Sequence, residues 1–330
     1  MGEIHKRYDI YGLSPLVDIP APRRYIYTNI QTSVCRKERG ARSAVTGKDS
    51  MRIVTLIENS PGAAGCRYEH GLSLYIETAR HRILADTGAS DGFLYNAKEL
   101  GIDLSAVDMV FLSHGHYDHA NGIPYLAQAA PSAQIYMQRS ALREYFAEEE
   151  PEPRYIGVPR GMRELPRLTL LDGSAEIDDG ISVMAGFPGR RRFSQSNLTL
   201  KVLQGDSLCQ DSFDHEQALV LRQSAAKYCL FSGCAHNGIL NILDRFRDTY
   251  GCDPAIVVSG FHFMKRGDYT PGELDDITAT AEELARMDTV FFTGHCTSQP
   301  AYELMKPVMG GKLQPLHSGM EVRLPVMGRF

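Results

Sequence analysis

The chain has 330 residues, of which 43% are hydrophobic and 23% charged. These proportions are ordinary for a globular protein and speak against a disordered chain. No apolar run approaches the roughly 18–20 residues that cross a bilayer, and 35 basic against 40 acidic residues, a net charge of −5, offer no electrostatic footing for nucleic acid.

Residues 1–50 hold nine Lys/Arg and five Asp/Glu, so they carry +4 while residues 51–330 carry −9. The stretch TSVCRKERGARSAVTGKDS is polar and basic and has no period that would bury a face. The acidic residues and the lack of an apolar core argue against a targeting peptide. The expectation is an N-terminal extension outside the folded core, with one domain over 51–330. At Met51 the texture changes to MRIVTLIEN, a strand with apolar residues on both faces. Further strands are expected at 72–77, 82–85, 109–112, 134–137, 218–222, 227–231, 255–259 and 289–293. Helical spacing falls near 92–100, 123–129, 140–148, 238–250, 273–287 and 300–309. Thr270-Pro271-Gly272-Glu273 is a helix start, with a capping Thr, Pro in the first turn and Glu three residues on. Residues 150–216 are the least regular and read as a lid or a set of excursions from the core. Seven cysteines without a CxxC pair fit a reduced interior, and a cytoplasmic location is expected.

The chemistry concentrates in Ser113-His114-Gly115-His116-Tyr117-Asp118-His119, directly after the apolar strand MVFL. Three imidazoles and a carboxylate within six residues cannot share one face of a regular element. A tight loop at a strand end can converge them on a metal pair. Such nitrogen and oxygen donors suit zinc, iron or manganese.

HGHYDH resembles the HxHxDH signature of the metallo-β-lactamase superfamily, and Asp86-Thr87-Gly88 resembles its strand-end DTG. Segments 69–77, 86–108, 112–124, 232–243, 260–262 and 294–297 are similar to a dihydropteroate-synthase-like subgroup. That subgroup includes a synthase joining a dihydropterin to ribofuranosylaminobenzene phosphate. The resemblance implies an α/β, four-layer αββα sandwich with two divalent ions. His114 and His116 would hold the first ion with His236, and Asp118 and His119 the second with His295. Asp118 would also steer a proton, and Asp86 would accept a hydrogen bond from a ligand imidazole. Many superfamily members place a bridging Asp after a Gly; here Cys234 follows Gly233. Without that carboxylate the metal pair stays more positive and favours an anion. Cys234 reads either as a group near substrate or as a small buried residue without metal contact.

His262 and His70 are candidates for substrate contact, and Arg190-Arg191-Arg192 could clamp a phosphate. His5, His81, His215 and His317 receive no role, although His215, in the irregular region, could reach the site. The expected partner is a small anionic, phosphorylated substrate, with no nucleic acid and no membrane. Hydrolysis is the first reading and pterin-type transfer the second. A non-catalytic metal-binding or redox-sensing protein is the third.

Overall fold

The structure, a computed structural model, describes residues 50–224 and 227–325. Residues 1–49, and with them the expected extension outside the core, lie outside the described residues. Two seven-stranded sheets carry the fold. In spatial order the first runs Glu321–Pro325, Ser50–Ile57, Ser73–Glu77, Arg82–Ala85, Met109–Phe111, Gln134–Gln138 and Leu168–Leu171. The second runs Leu313–Pro315, Val290–Thr293, Ile256–Val258, Lys227–Ser232, Gln217–Ser224, Ile181–Ala185 and Ala175–Asp178.

The two-sided apolar strands of the sequence have a direct cause. Ile53, Ile83, Phe231, Val258 and Phe292 point between the sheets and fill the space with Phe111, Val183 and Leu219. Their neighbours Val54 and Leu84 point outward, onto Phe93 and Ala97 of helix Gly92–Glu99 and Ile123 and Leu126 of helix Ile123–Ala129. On the far side Leu230, Val257 and Phe291 meet helices Ile239–Tyr250, Pro271–Ala285 and Gln299–Met309. Strands buried on both faces need apolar residues at every position. Each fully buried Phe, Leu or Ile contributes on the order of 1.5–3 kcal/mol. The result is the expected αββα sandwich. No helix among the described residues is long and apolar enough to cross a membrane.

Two expectations need correction. Residues 140–148 are not a helix: Arg139–Leu142 makes a short 3₁₀ turn and Tyr145–Ala147 is a strand. Buried Leu142 and Tyr145 give helical spacing, but Arg143, extended at φ −72° and ψ 170°, breaks the turn. Residues 150–216, expected as a lid or a set of excursions from the core, hold a series of short strands. They supply Leu168–Leu171, Ala175–Asp178 and Ile181–Ala185 to the main sheets. Arg154–Tyr155, Leu200–Gln204 and Ser207–Gln210 join Tyr145–Ala147 in a separate four-stranded sheet.

The topology also decides where chemistry can gather. Arg82–Ala85 and Met109–Phe111 run parallel, as do Lys227–Ser232, Ile256–Val258 and Val290–Thr293. Their carboxyl ends therefore open on common edges, the place where α/β sheets bind ligands. At these ends Asp86, Ala235, His262 and His295 adopt φ values of 59°, 56°, 50° and 49°. Left-handed backbone at non-glycine residues costs on the order of 1–3 kcal/mol each and clusters at functional sites.

Candidate metal centre

The loop after Met109–Phe111 and the ends of the second sheet bring two donor sets together. Ligand atoms of His114, His116 and His236 lie within 4.8 Å of one another, and so do those of Asp118, His119, Cys234 and His295. All seven residues are buried. The structure thus collects the six residues the sequence nominated and adds Cys234.

The hydrogen bonds around the imidazoles assign their tautomers. Ser113 Oγ donates to Asp86 Oδ2 at 2.7 Å, so it must accept from His114 Nδ1 at 2.8 Å. His236 Nδ1 donates to Asn197 Oδ1 at 2.9 Å, and Asn197 is oriented by its own amide donating to the His236 carbonyl. Each Nε2 is then a lone pair, yet the two stand 3.2 Å apart. The second set repeats the pattern. His119 Nδ1 donates to Asp86 Oδ2 at 2.7 Å, and His295 Nδ1 donates to Asn59 Oδ1 at 2.8 Å. Their Nε2 atoms stand 3.1 Å apart, a gap that a proton on His119 Nε2 or a metal ion can span, so facing lone pairs are forced only at His114 and His236. Two nitrogen ligands about 2.0–2.1 Å from one tetrahedral ion stand about 3.3–3.4 Å apart. Facing lone pairs at that spacing repel unless a cation lies between them. The donor sets fit divalent metal ions.

Electrostatics agree. Burial and the neighbouring imidazoles hold His114 and His236 well below the ordinary histidine value and push His116 down to about 3, so these rings are neutral donors. Burial opposes charge on Asp118, but His119, His295 and His70 outweigh it and hold the carboxyl well below its usual range. Burial also works against a charged His119, yet Asp86 and Asp118 raise it to about 9. A ring flanked by two carboxylates marks a place built for positive charge. Cys234 Sγ lies 3.2 Å from His119 Nε2. Burial pushes its thiol well above the ordinary value, so a thiolate there needs a cation. Cys234 is both buried, as one reading of the sequence had it, and within reach of the Asp118, His119 and His295 donor atoms.

Asp86 is the pivot of the loop, since its Oδ1 accepts from Ser113 N–H at 2.7 Å while Oδ2 serves Ser113 and His119. His70 Nδ1 accepts from the Asn59 amide at 3.2 Å, which leaves Nε2–H 3.3 Å from Asp118 Oδ2. His262 borders the same cavity, and both its ring nitrogens are buried without a hydrogen-bond partner in the structure.

A cavity of about 420 Å³ opens over His116, Asp118, Cys234, His236 and His295. The arginine run does not border it. Arg190 bonds the Phe187 and Gly189 carbonyls and Asn237, Arg191 pairs with Asp244 and Glu283, and Arg192 pairs with Asp276 and Glu283. These arginines tie a loop to two helices, away from the cavity where a phosphate clamp was expected of them. Arg154, Lys265 and Arg266 border the cavity. One Glu149 oxygen is shared by Arg154 and Arg266 at 3.2 Å each, and Lys265 pairs with Glu273 at 2.8 Å. Sequence reading missed them because Arg154 stands alone and Lys265-Arg266 is a bare pair, neither within a recognisable motif. It also missed Asn59 and Asn197, whose only signal would have been their contact with a ligand ring.

Comparison with known proteins agrees with the fold and with this edge. The sequence profile of the metallo-β-lactamase superfamily matches residues 67–189, the part holding Asp86 and the HGHYDH loop. A crystal structure described as a metal-dependent hydrolase of the β-lactamase superfamily superposes with a TM-score of 0.70 at 28% identity, covering 83% of this chain and 99% of that one. The chain is a metallo-β-lactamase-fold protein, and the resemblance read from its motifs holds. Its relatives include the 7,8-dihydropterin-6-methyl-4-(β-D-ribofuranosyl)-aminobenzene-5′-phosphate synthase of Methanocaldococcus jannaschii. That protein is 24% identical over 293 residues, spanning 83% of this chain and 97% of its own length. An uncharacterized protein of the same organism is 27% identical over 203 residues, spanning 59% of this chain and 73% of its own.

Proposed function

We propose that the chain is a metal-dependent enzyme that hydrolyses a small anionic, phosphorylated substrate in this cavity. One observation carries the reading: the Nε2 lone pairs of His114 and His236 face each other, beside the Asp118, His119, Cys234 and His295 donor set, beneath a cavity bordered by Arg154, Lys265 and Arg266. His114, His116 and His236 would hold one divalent ion. Asp118, His119 and His295, with Cys234, would hold the other. Mixed nitrogen, oxygen and sulfur donors suit zinc best, ahead of iron or manganese.

Bound there, the ions would supply Lewis-acid charge toward a substrate oxygen and would lower the pKa of water toward neutrality. The protein groups do the rest. Asp118 Oδ2, 3.2 Å from His295 Nε2 and 3.3 Å from His70 Nε2, is placed to hold a proton as a nucleophile forms. His70, on the cavity wall, turns its Nε2–H toward that carboxylate and holds its orientation. His262, on the cavity wall, offers a buried ring nitrogen to a substrate oxygen. The cations at Arg154, Lys265 and Arg266 would hold the phosphate oxygens that the floor leaves free.

The structural relative described as a metal-dependent hydrolase supports this reading. A second reading, a transferase condensing a dihydropterin diphosphate with an aminobenzene ribose phosphate, is favoured by the near full-length match to the synthase. The same floor would then hold the departing diphosphate. The test is zinc-loaded protein against phosphate esters, diphosphate esters, β-lactams and the paired pterin and aminobenzene substrates. Phosphate release from an ester is expected. A coupled pterin product with one diphosphate per turnover would select the transferase. Opening of β-lactams with no response to any phosphorylated compound would contradict both.

A further inference from the structure

Four of the five clustered histidines have the nitrogen turned away from the donor sets held by a neighbour: Ser113 for His114, Asp86 for His119, Asn197 for His236 and Asn59 for His295. His116 is the exception. Its Nε2 is buried and has no hydrogen-bond partner. The group it faces is Asp211, whose Oδ2 lies 3.9 Å away.

Asp211 is not there by accident of a loose loop. It is 3% exposed, and its Oδ1 accepts from Phe213 N–H at 2.8 Å. Its Oδ2 accepts from His215 Nε2–H at 3.0 Å. That tautomer of His215 is forced, because Gly115 N–H donates to His215 Nδ1 at 2.8 Å. Gly115 sits between His114 and His116, so the metal loop itself holds His215, and His215 holds Asp211. Phe213 takes a left-handed φ of 55° and stacks flat on His236 with ring centroids 4.6 Å apart. Glu216, at the end of the same segment, accepts the backbone N–H groups of His236 and Asn237. A short segment, residues 211–216, with Asp211, Phe213, His215 and Glu216 buried, thus packs beside the ring of His116 and holds the backbone of His236.

We propose that Asp211, held in place by His215, is the positioning carboxylate of His116. It fixes the Nε2–H tautomer, which leaves Nδ1 as the ring's lone pair for a metal ion. The inference rests on the metal reading of the site for its consequence, but the tautomer itself does not. Carboxylates in this relation to a ligand imidazole typically change metal affinity by 10–100-fold when removed.

The test uses the full chain in two measurements. In metal-free protein, ¹⁵N chemical shifts of the His116 ring report the tautomer. Wild type should show a protonated Nε2, whereas D211A should lose that preference. In the second, chelator competition should show zinc affinity falling about 10–100-fold in D211A and less in D211N, which keeps the volume and the bond from Phe213. H215Q should fall between wild type and D211A. D211N guards against a folding defect, since its amide spectrum should stay native. A tautomer shift with unchanged zinc affinity would uphold the Asp211 contact and remove His116 from the metal donors. An unchanged tautomer in D211A, whatever the zinc affinity, would overturn the proposal.

Discussion

At the scale of single residues the site depends on close approaches that only certain side chains allow. A Cβ at Gly233 would stand 2.1 Å from Ser113 Oγ and 3.1 Å from His114 Nδ1, so Gly233→Ala would push apart the hydroxyl relay between Asp86 and His114. Overpacking of this kind costs about 1–3 kcal/mol. The variant should melt lower and bind zinc more weakly, as thermal denaturation and chelator competition would show; wild-type affinity would mean the relay does not orient His114. The cations bordering the cavity give a second prediction. Exchanging Arg154 and Arg266 for Ala should raise KM with little change in kcat, because they would grip substrate and transition state alike. An unchanged KM would take them out of substrate binding. The donors themselves were legible in the sequence because His and Asp at HxHxDH spacing after a strand have few other uses. Their supports were not. Asn59, Asn197 and Glu216 are common residues without a diagnostic spacing, and they meet the histidines across 20 to 236 positions of chain.

Among the elements, helix Pro271–Ala285 has the most explicit local instruction. Thr270 Oγ1 accepts from Glu273 N–H, and Glu273 Oε2 accepts from Thr270 N–H at 2.8 Å. Thr270→Ala should cost about 1 kcal/mol. In a domain of this size that lowers Tm by roughly 2–4 °C. Zinc affinity should be untouched; a loss of zinc would show that this helix reports to the centre. Strands buried on both sides, such as Lys227–Ser232 and Val290–Thr293, were readable as apolar β-runs. Short pieces were not: Leu313–Pro315 carries too few residues for a period, and Tyr117–Ala120 is a single helical turn hidden inside the metal motif. In the 150–216 region the strands average four residues or fewer between turns, and many of their side chains are only half-buried, as in Leu168–Leu171. Apart from Ile181–Ala185, buried at every position, neither apolar alternation nor continuous burial marks these strands, so that segment looked irregular.

For the whole molecule, the centre joins the two sheets. Asp86 and the HGHYDH loop come from the first, and Cys234, His236 and His295 from the second. An ion shared across that seam stabilises the folded state only, by about 4 kcal/mol when free metal exceeds its Kd 1,000-fold. Chelation should therefore lower Tm by several degrees, and re-addition of zinc should restore it; an unchanged Tm would mean the sheets are not joined through metal. Residues 51–330 expressed alone should be soluble and metal-loaded, with nearly the melting temperature of the full chain. A large loss would show that the preceding segment packs on the core. The central claim, that two donor sets each hold one ion, is tested most directly by metal content after stripping and reloading with zinc. Wild type should hold two ions per chain. His114→Ala/His236→Ala and His119→Ala/His295→Ala should each hold one. Fewer than two ions in wild type, or two ions retained in either double variant, would contradict it.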